Sequence, residues 1–330
     1  KSVSNLFVFL NPFFVPLRYK AYYMLLSIFK LYPTEQDPVA YAIPFFILLI
    51  LIEAYVGYKQ QHRNYLSKDA AASIAMGIGS VLINFVMKSL AFGVYTIVYE
   101  FRLFEIGWHW WTWALIFLAD DFTFYWYHRF AHEIRILWAA HVNHHSSVEY
   151  SLSIALRQSW GELLFKYFFW LWLPVVGFPP MMVFMMISIS LIYQFWVHTE
   201  LIHRFPKWFE FIMNTPSHHR VHHASNYRYL DRNHAGILII WDRMFGTFSE
   251  ELDEEKPVFG ITVNIHTFNP FKIASHEYIA IWHDILRAPT FKDKLNYIFQ
   301  APGWSHDGPD LRAKVLRKTV ANKQSTVAPN

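Results

Sequence analysis

The stretch Tyr167–Thr199, YFFWLWLPVVGFPPMMVFMMISISLIYQFWVHT, is 33 residues long and contains no formally charged side chain. An α-helix rises about 1.5 Å per residue, so one helix of this length would exceed the roughly 30 Å hydrocarbon core of a bilayer. Pro174, Gly177 and Pro179 lie in the middle of the stretch, where they favour a break in the helix. The sequence therefore predicts a helical hairpin in a membrane, with its bend near Gly177 and with His198 close to its end.

Three further apolar stretches precede this hairpin. They are Tyr41–Gly57, Ala70–Tyr99 and Trp108–Tyr127, and each approaches or exceeds the roughly 20 residues that a spanning helix needs. Together with the hairpin they predict four to five transmembrane helices in two hairpins. A short basic loop after the first stretch is typical of a cytoplasmic loop, and it contains Lys59, His62, Arg63 and Lys68.

The composition supports a membrane protein. Hydrophobic residues make up 54% of the 330-residue chain and charged residues 16%, whereas a soluble domain has about 25% charged residues. The chain has no cysteine, which excludes disulfides, thiolate metal sites, iron–sulfur clusters and a cysteine nucleophile. The net charge of +4 is scattered along the sequence, so a nucleic-acid partner is not indicated.

These features predict an all-α integral membrane protein with a cytoplasmic helical cap that holds a histidine-rich dimetal site. Residues 1–40 are predicted to be interfacial, and residues 41–203 to contain the transmembrane helices and the first histidine motifs. The cap is predicted over residues 204–310 and a solvated tail over residues 311–330. One catalytic domain is expected at about residues 115–250.

Histidines are concentrated in one part of the chain, since 11 of the 18 lie between His128 and His223. His128 and His132 are four residues apart, and the motif HxxHH occurs at residues 141–145 and again at 219–223. On a helix, residues i, i+3 and i+4 share one face, so each HxxHH is predicted to aim three imidazoles at one point. Neutral imidazole binds iron, zinc, copper or nickel. With His198, the motifs supply eight or nine ligands, enough for two metal ions.

The motifs HRFAH (128–132), HVNHH (141–145) and HHRVHH (218–223) resemble the histidine boxes of the fatty acid hydroxylase/sterol desaturase superfamily of membrane di-iron enzymes. Within it, ALRQS (155–159), YQFWVHTE (193–200) and IIWDRMFGTF (239–248) are most similar to the alkylglycerol monooxygenase branch. The resemblance runs from about Pro44 to Gly303. The metal ligands that it implies are His128, His132, His141, His144, His145, His198, His219, His222 and His223, with His203 and His218 as additional candidates.

The other histidines are predicted to lie outside the site. They are His62, His109, His234, His266, His276, His283 and His306.

Two acidic residues near the first motif are candidates for supporting roles. Asp121 lies seven residues before His128, on the same helical face, and a carboxylate there can fix the tautomer of a ligand histidine. The alternative is a charge at a helix end that reaches the membrane interface. Glu133, next to His132, is a candidate for supporting the site or a reductant.

Two residues after the last histidine motif are further candidates for outer groups of the site, Asn233 and Asp242. For Asp242 the alternative is an ion pair with Arg243 or Arg220.

The resemblance implies an O₂-dependent lipid monooxygenase with two iron ions, which zinc can replace in preparations. In the alkylglycerol branch, hydroxylation falls on the carbon beside the ether oxygen and yields an aldehyde and glycerol. The sequence shows no haem-binding domain, no glycine-rich dinucleotide loop and no cysteine cluster. The electrons are therefore expected from an external donor, either a reduced pterin or a partner redox protein.

Other functions remain open at this point. A hydroxylase or desaturase of fatty-acyl, sterol or hopanoid lipids would belong to the same superfamily. A histidine-rich metal transporter is the alternative of a different class, although transporters place polar groups at the membrane midplane in repeated segments and no repeat is visible here. A bacterial cytoplasmic membrane is the favoured location, or the endoplasmic reticulum for a eukaryotic source, with the histidines on the cytoplasmic side.

Overall fold

The computed structural model describes residues 32–60 and 68–327, and within these ranges it consists of helices without any β-strand. The all-helical prediction is therefore confirmed. Most of the segment predicted as interfacial (residues 1–31), together with His62 and Arg63, lies outside the described residues. The α-helices are α1 (Pro38–Lys59), α2 (Lys68–Tyr99), α3 (Trp110–Glu133), α4 (Arg135–Ala139), α5 (Val142–His145), α6 (Leu163–Trp170), α7 (Trp172–Val176), α8 (Pro180–Trp196), α9 (Lys207–Ile212), α10 (Pro216–His222), α11 (Ile240–Phe245), α12 (Pro270–Arg287), α13 (Phe291–Phe299) and α14 (Ala313–Val327).

Two of these helices, α1 and α2, are long and apolar enough to cross a membrane. At about 1.5 Å per residue they measure roughly 33 and 48 Å. Large apolar side chains such as Phe45 on α1 and Leu82 on α2 are exposed, as lipid contact requires. The α6–α7 pair and α8 are apolar but shorter. Of the four to five predicted spans, two thus have helices that are both long and apolar enough.

The predicted bend of the second hairpin lies between α7 and α8. Gly177 has φ +127°, a conformation that side-chain-bearing residues rarely adopt. A Cβ at this position would lie 2.0 Å from the carbonyl oxygen of Phe104, so the close approach of the two segments also requires glycine. The chain then re-enters a helix at Pro180, where proline is favoured in the first turn.

Helix α3 is central because it packs against α8 and α6 and its last turns carry His128 and His132. The main apolar core surrounds it and includes Tyr95, Trp170 and Phe184. The indole N–H of Trp170 donates to Asp120 at 2.6 Å, which satisfies a carboxyl oxygen that would otherwise be buried without a partner. The core therefore fixes the histidine-bearing end of α3 relative to α8.

The segment predicted as a solvated tail contains a polar helix, α14. Within it, Arg317 donates to the carbonyl of Leu230. The two residues are 87 positions apart in the sequence, and a local pattern in a polar helix does not predict a contact at that distance.

Candidate metal centre

Nine buried histidines form two adjacent groups, and within each group the candidate ligand atoms lie within 4.8 Å of one another. The first group combines histidines from α3, α5, α10 and the turn before α5, and the second combines histidines from α5, α10 and the segment after α8. The first group is His128, His132, His141, His145 and His222, and the second group is His144, His198, His219 and His223.

Each HxxHH motif is divided between the two groups, so the prediction that all three of its imidazoles aim at one point is wrong. In both motifs the i and i+4 histidines share a group, and the i+3 histidine belongs to the other. Neighbouring residues on a helix point about 100° apart, so His144 and His145 must diverge, as must His222 and His223. The two motifs therefore cross over, and each contributes to both groups.

The spacing of the ring nitrogens suits metal ligation. The Nε2 atoms of His128 and His141 are 2.9 Å apart, and that of His198 lies 2.9 Å from Nε2 of His219. Two nitrogens that bind one ion at about 2.1 Å and roughly 90° are about 3 Å apart. The rings of His145 and His223 stack at 4.4 Å, which places the two groups side by side.

Two ring nitrogens inside the first group have no partner in the described residues. Nε2 of His132 and Nε2 of His222 are buried and have no hydrogen bond within the part of the chain that the structure describes. A buried nitrogen without a partner is costly, and a metal ion would satisfy both atoms at once. The residues present therefore fit a metal ion in their centre.

Eight of the nine clustered histidines are held in the neutral form that binds metals. Burial, followed by the neighbouring imidazoles, lowers the pKa of His145 and of His223 well below the usual imidazole range. Burial alone is the main cause that lowers the pKa of His198 to about 4. Neutral imidazole offers a lone pair, so no proton has to leave before these nitrogens bind a metal near pH 7.

Backbone carbonyls orient several of the rings. The Nδ1 atom of His128 lies 2.8 Å from the carbonyl oxygen of His234, and Nδ1 of His222 lies 2.9 Å from that of Arg232. A ring that donates from Nδ1 presents the lone pair of Nε2 to the centre of its group. One carboxylate also takes part, because Oδ1 of Asp231 lies 3.3 Å from Nδ1 of His132.

Asp121 does not contact a histidine, so its predicted role as a direct orienting group is wrong. Its carboxylate accepts two backbone N–H groups, from Ile237 at 2.8 Å and Leu238 at 3.0 Å, and the indole N–H of Trp241 at 2.9 Å. Three donors that converge on one buried carboxylate hold it away from the rings. Asp121 therefore anchors the segment before α11 to α3.

Asp242 anchors the same segment from its other end. It accepts the backbone N–H groups of His234 and Ala235, each at 2.8 Å, and the hydroxyl of Thr247 at 2.6 Å. Since the carbonyl of His234 orients His128, Asp242 acts on the site through the backbone. The ion pair that was the alternative for Asp242 is not observed in the described residues. Arg220 pairs with Glu251, and Arg243 donates to the carbonyl of Phe211. Asn233 donates to the carbonyls of His218 and Ser249 and contacts no clustered histidine.

Three other candidates lie outside both groups. Glu133 pairs with Arg129 at 2.9 Å on a partly exposed surface. His203 is exposed. His218 is buried but packs against Phe248 rather than against a clustered ring.

Two residues near the groups carried no signal in the sequence. His234 was predicted to lie outside the site, yet it is fully buried, and its ring centroid is 5.1 Å from that of His132 and 5.7 Å from that of His222. It has no neighbouring histidine in the sequence, and only the docking of its segment brings it here. Asp231 was likewise missed, and its positive φ of 50° places its carboxylate beside His132.

A cavity of about 460 Å³ opens onto the first group. His132, His145 and His222 form part of its wall, and so does His223 of the second group. The remaining wall is mixed in character, with polar side chains near the histidines and apolar ones from later segments of the chain. It includes Arg135, Asp231, His276, Glu277, Trp138, Ile261, Val263, Leu311 and Leu316.

Comparison with known proteins agrees with this geometry. The family model of fatty acid hydroxylase matches residues 113–247, which include all nine clustered histidines. Alkylglycerol monooxygenase of Xenopus tropicalis is 40% identical over 296 residues, covering 86% of this chain and 65% of that protein. The Homo sapiens protein of that name is 43% identical over 280 residues (83% and 62%), and that of Danio rerio 41% over 273 residues (82% and 60%).

The chain thus spans less than two thirds of the length of these relatives. No solved structure matches it significantly. The predicted resemblance is confirmed: residues 113–247 match the fatty acid hydroxylase family model, and most of the chain is similar to the alkylglycerol monooxygenases.

Proposed function

We propose that the protein is an O₂-dependent lipid monooxygenase that uses two iron ions, one in each histidine group. The observation that carries the proposal is the pair of adjacent, buried, all-imidazole groups within a fatty acid hydroxylase domain. All-nitrogen ligation by neutral imidazole suits iron, and bound iron supplies the activation of O₂. The chain's part is to hold both ions, limit access of water and place one substrate carbon beside them.

The substrate that we propose is an alkylglycerol, because three relatives carry alkylglycerol monooxygenase as their name. Insertion of one oxygen atom into the C–H bond beside the ether oxygen consumes O₂, two electrons and two protons, and releases water. The hemiacetal formed breaks at its carbon–oxygen bond to give an aldehyde and glycerol. Two apolar helices that can cross a membrane agree with a lipid substrate.

The electrons come from outside the chain in this proposal, from a reduced pterin or from a redox protein. The cavity beside the first group is the route that we propose for a polar reactant, since charged side chains such as Arg135 and Glu277 line it next to His132 and His222. The chain is proposed to reside in a bacterial cytoplasmic membrane, or in the endoplasmic reticulum of a eukaryote, with both groups on the cytoplasmic side. That orientation rests on the basic loop between α1 and α2.

A direct assay tests the proposed reaction. The purified chain in vesicles receives a 1-O-alkylglycerol, O₂ and a chemically reduced pterin, and the long-chain aldehyde is trapped as a hydrazone and quantified. His222→Ala and His144→Ala, one in each group, should abolish aldehyde formation. His203→Ala is the matched control, because His203 is exposed and belongs to neither group.

Undiminished turnover in both ligand variants would contradict the metal assignment. Activity on a fatty-acyl or sterol lipid with none on the ether lipid would overturn the substrate and favour the related hydroxylase or desaturase function. Activity that depends on a reduced redox protein instead of the pterin would identify the donor class and leave the reaction standing.

A further inference from the structure

Helices α12 and α13 expose an apolar stripe that no described part of the chain covers. On α12 the exposed members of the stripe fall within an arc of about 80° at 100° per residue. Trp282 is 60% exposed and Leu286 62% exposed, values unusual for such side chains in water. The stripe consists of Phe271, Ile279, Trp282 and Leu286 on α12 and of Phe291, Leu295 and Phe299 on α13.

The opposite face of α12 is the one that packs on the protein. Ile273 and Ile281 are buried there. Glu277 and Asp284 both bind the guanidinium of Arg135, each at 2.7 Å. The helix is thus already attached to the domain by its inner face, and the apolar stripe is a second, outward-facing surface.

The contacts between α12 and α2 show where the start of the apolar stripe lies along the length of α2. Trp160 donates its indole N–H to the carbonyl of Met76 at 3.1 Å, and its ring lies where a Cβ on Gly79 would come within 2.7 Å. Phe271, at the start of α12, packs edge-on against that same Trp160 ring at 5.3 Å. Ile273 packs against Met76. Helix α12 therefore meets α2 at the level of Met76–Gly79.

The lipid-facing stripe of α2 begins at this level. Its exposed large side chains start two to three turns from the basic residue Lys68 at the beginning of the helix, and they continue without a charged residue up to Lys88. They include Ile74, Ile78, Val81, Leu82 and Phe85. The apolar stripe of α12 therefore begins at the height at which that of α2 begins, where the hydrocarbon region adjoins the polar boundary of the membrane.

Cations accompany the stripe. Lys272 on α12 and Lys292 and Lys294 on α13 are exposed. Apolar and aromatic side chains on one face of a helix, beside lysines, are the pattern of helices that lie in a bilayer interface, where lysines reach the headgroups. Tryptophan also favours this boundary.

We propose that α12 and α13 lie in the plane of the membrane surface at the Lys68 end of α2, with their apolar stripe immersed in lipid. This inference concerns where the C-terminal helices sit and does not depend on the reaction proposed above. Helix α12 also supplies His276 and Glu277 to the wall of the cavity. One helix then separates the bilayer from the cavity that opens onto the first histidine group.

The absence of native cysteine permits a clean test with single-cysteine variants of the full chain. Ile279→Cys and Leu286→Cys place a label on the stripe. His283→Cys is the matched control, because it is exposed on the same helix about 80° from the centre of the stripe and outside its edge. Each variant carries a small fluorophore and is reconstituted in phosphatidylcholine/phosphatidylglycerol vesicles. Quenching by brominated acyl chains is compared with quenching by aqueous iodide.

We expect labels at positions 279 and 286 to be quenched several-fold more strongly by brominated lipid than the label at 283, and to be shielded from iodide. Iodide quenching equal to that of position 283 would overturn the proposal. Shielding from both quenchers would overturn it as well, because it would mean that a second copy of the chain covers the stripe. Retained metal content in each labelled variant shows that the domain is folded.

Discussion

Arg157 is a buried residue that holds the second histidine motif in place, and its replacement should affect both stability and metal binding. It is 1% exposed, and its guanidinium binds the carboxylate of Asp69 at 2.7 Å. The same side chain donates from Nε to the carbonyl of Asn143 at 3.0 Å and to the hydroxyl of Ser146 at 3.2 Å. It therefore fastens α5, which carries His144 and His145, to the start of α2.

The substitution Arg157→Met removes the positive charge and leaves Asp69 buried with only its hydroxyl partner Ser147. Breaking a buried ion pair from one side costs about 3–5 kcal/mol, because the remaining charge is uncompensated. We expect a loss of that size in the free energy of unfolding, measured by thermal or denaturant unfolding in detergent. The double variant Arg157→Met/Asp69→Asn removes the stranded charge and should recover most of the loss.

Metal retention separates the two roles of Arg157. The double variant still lacks the hydrogen bonds to Asn143 and Ser146, so α5 is held less firmly although the fold is stable. We expect it to lose metal to a chelator roughly 10–100-fold more readily than the wild type, as when an outer group of a metal site is removed. A double variant with wild-type metal retention would refute the positioning role. A single variant as stable as the double variant would refute the energetic argument.

Further predictions follow from the surrounding contacts. Asp242→Asn should cost about 1–3 kcal/mol of unfolding free energy and weaken metal retention, because Asp242 loses one of the three hydrogen bonds that it accepts beside the carbonyl that orients His128. Chelator competition measures metal retention, and retention equal to that of the wild type would contradict the prediction. Glu133→Gln removes only a partly exposed pair with Arg129, so unfolding free energy should change by less than about 1 kcal/mol with full metal content; a large loss of metal would restore Glu133 to the site. The metal-free protein should become less stable as pH falls below about 6.5. Burial lowers the pKa of the six histidines of the HxxHH motifs in the folded state, so below this pH they bind protons in the unfolded chain but not in the folded one. Each such histidine lowers the free energy of unfolding by up to about 1.4 kcal/mol per pH unit. Asp242 opposes this trend, since burial raises its pKa to about 6. Stability that rises on acidification would contradict the neutral assignment of the histidines.

Local patterns in the sequence were sufficient for the helical architecture and for the choice of histidines. The charge-free stretch with Gly177 at its centre predicted a bend that the backbone adopts at φ +127°. The histidine motifs predicted eight ligand candidates, and His198 at the end of the second hairpin was the ninth. The structure brings these nine into two groups. Both signals are local, because helix periodicity and glycine conformation depend on neighbours within a few residues.

The remaining features depend on contacts that are distant in the sequence. Asp121 has the right helical phase to face His128, but its partners are backbone N–H groups 116 and 117 residues away. His234 lies beside His132 because Asp121 and Asp242 bind backbone N–H groups of residues 234–238 and hold that segment against α3. The membership of the two groups is a third case. The divergence of adjacent histidines within each HxxHH motif is local, but the histidines that they meet come from distant helices.

We propose that residues 113–247 hold two adjacent metal ions, one in each histidine group. The most direct measurement is metal content per chain, on protein prepared without added metal or chelator, beside His222→Ala in the first group and His144→Ala in the second. We expect two iron ions per wild-type chain. In each variant the metal content should fall towards one ion per chain, because the affected group loses its ion. Well-folded wild-type protein without metal, or with one ion that both variants lose alike, would contradict it.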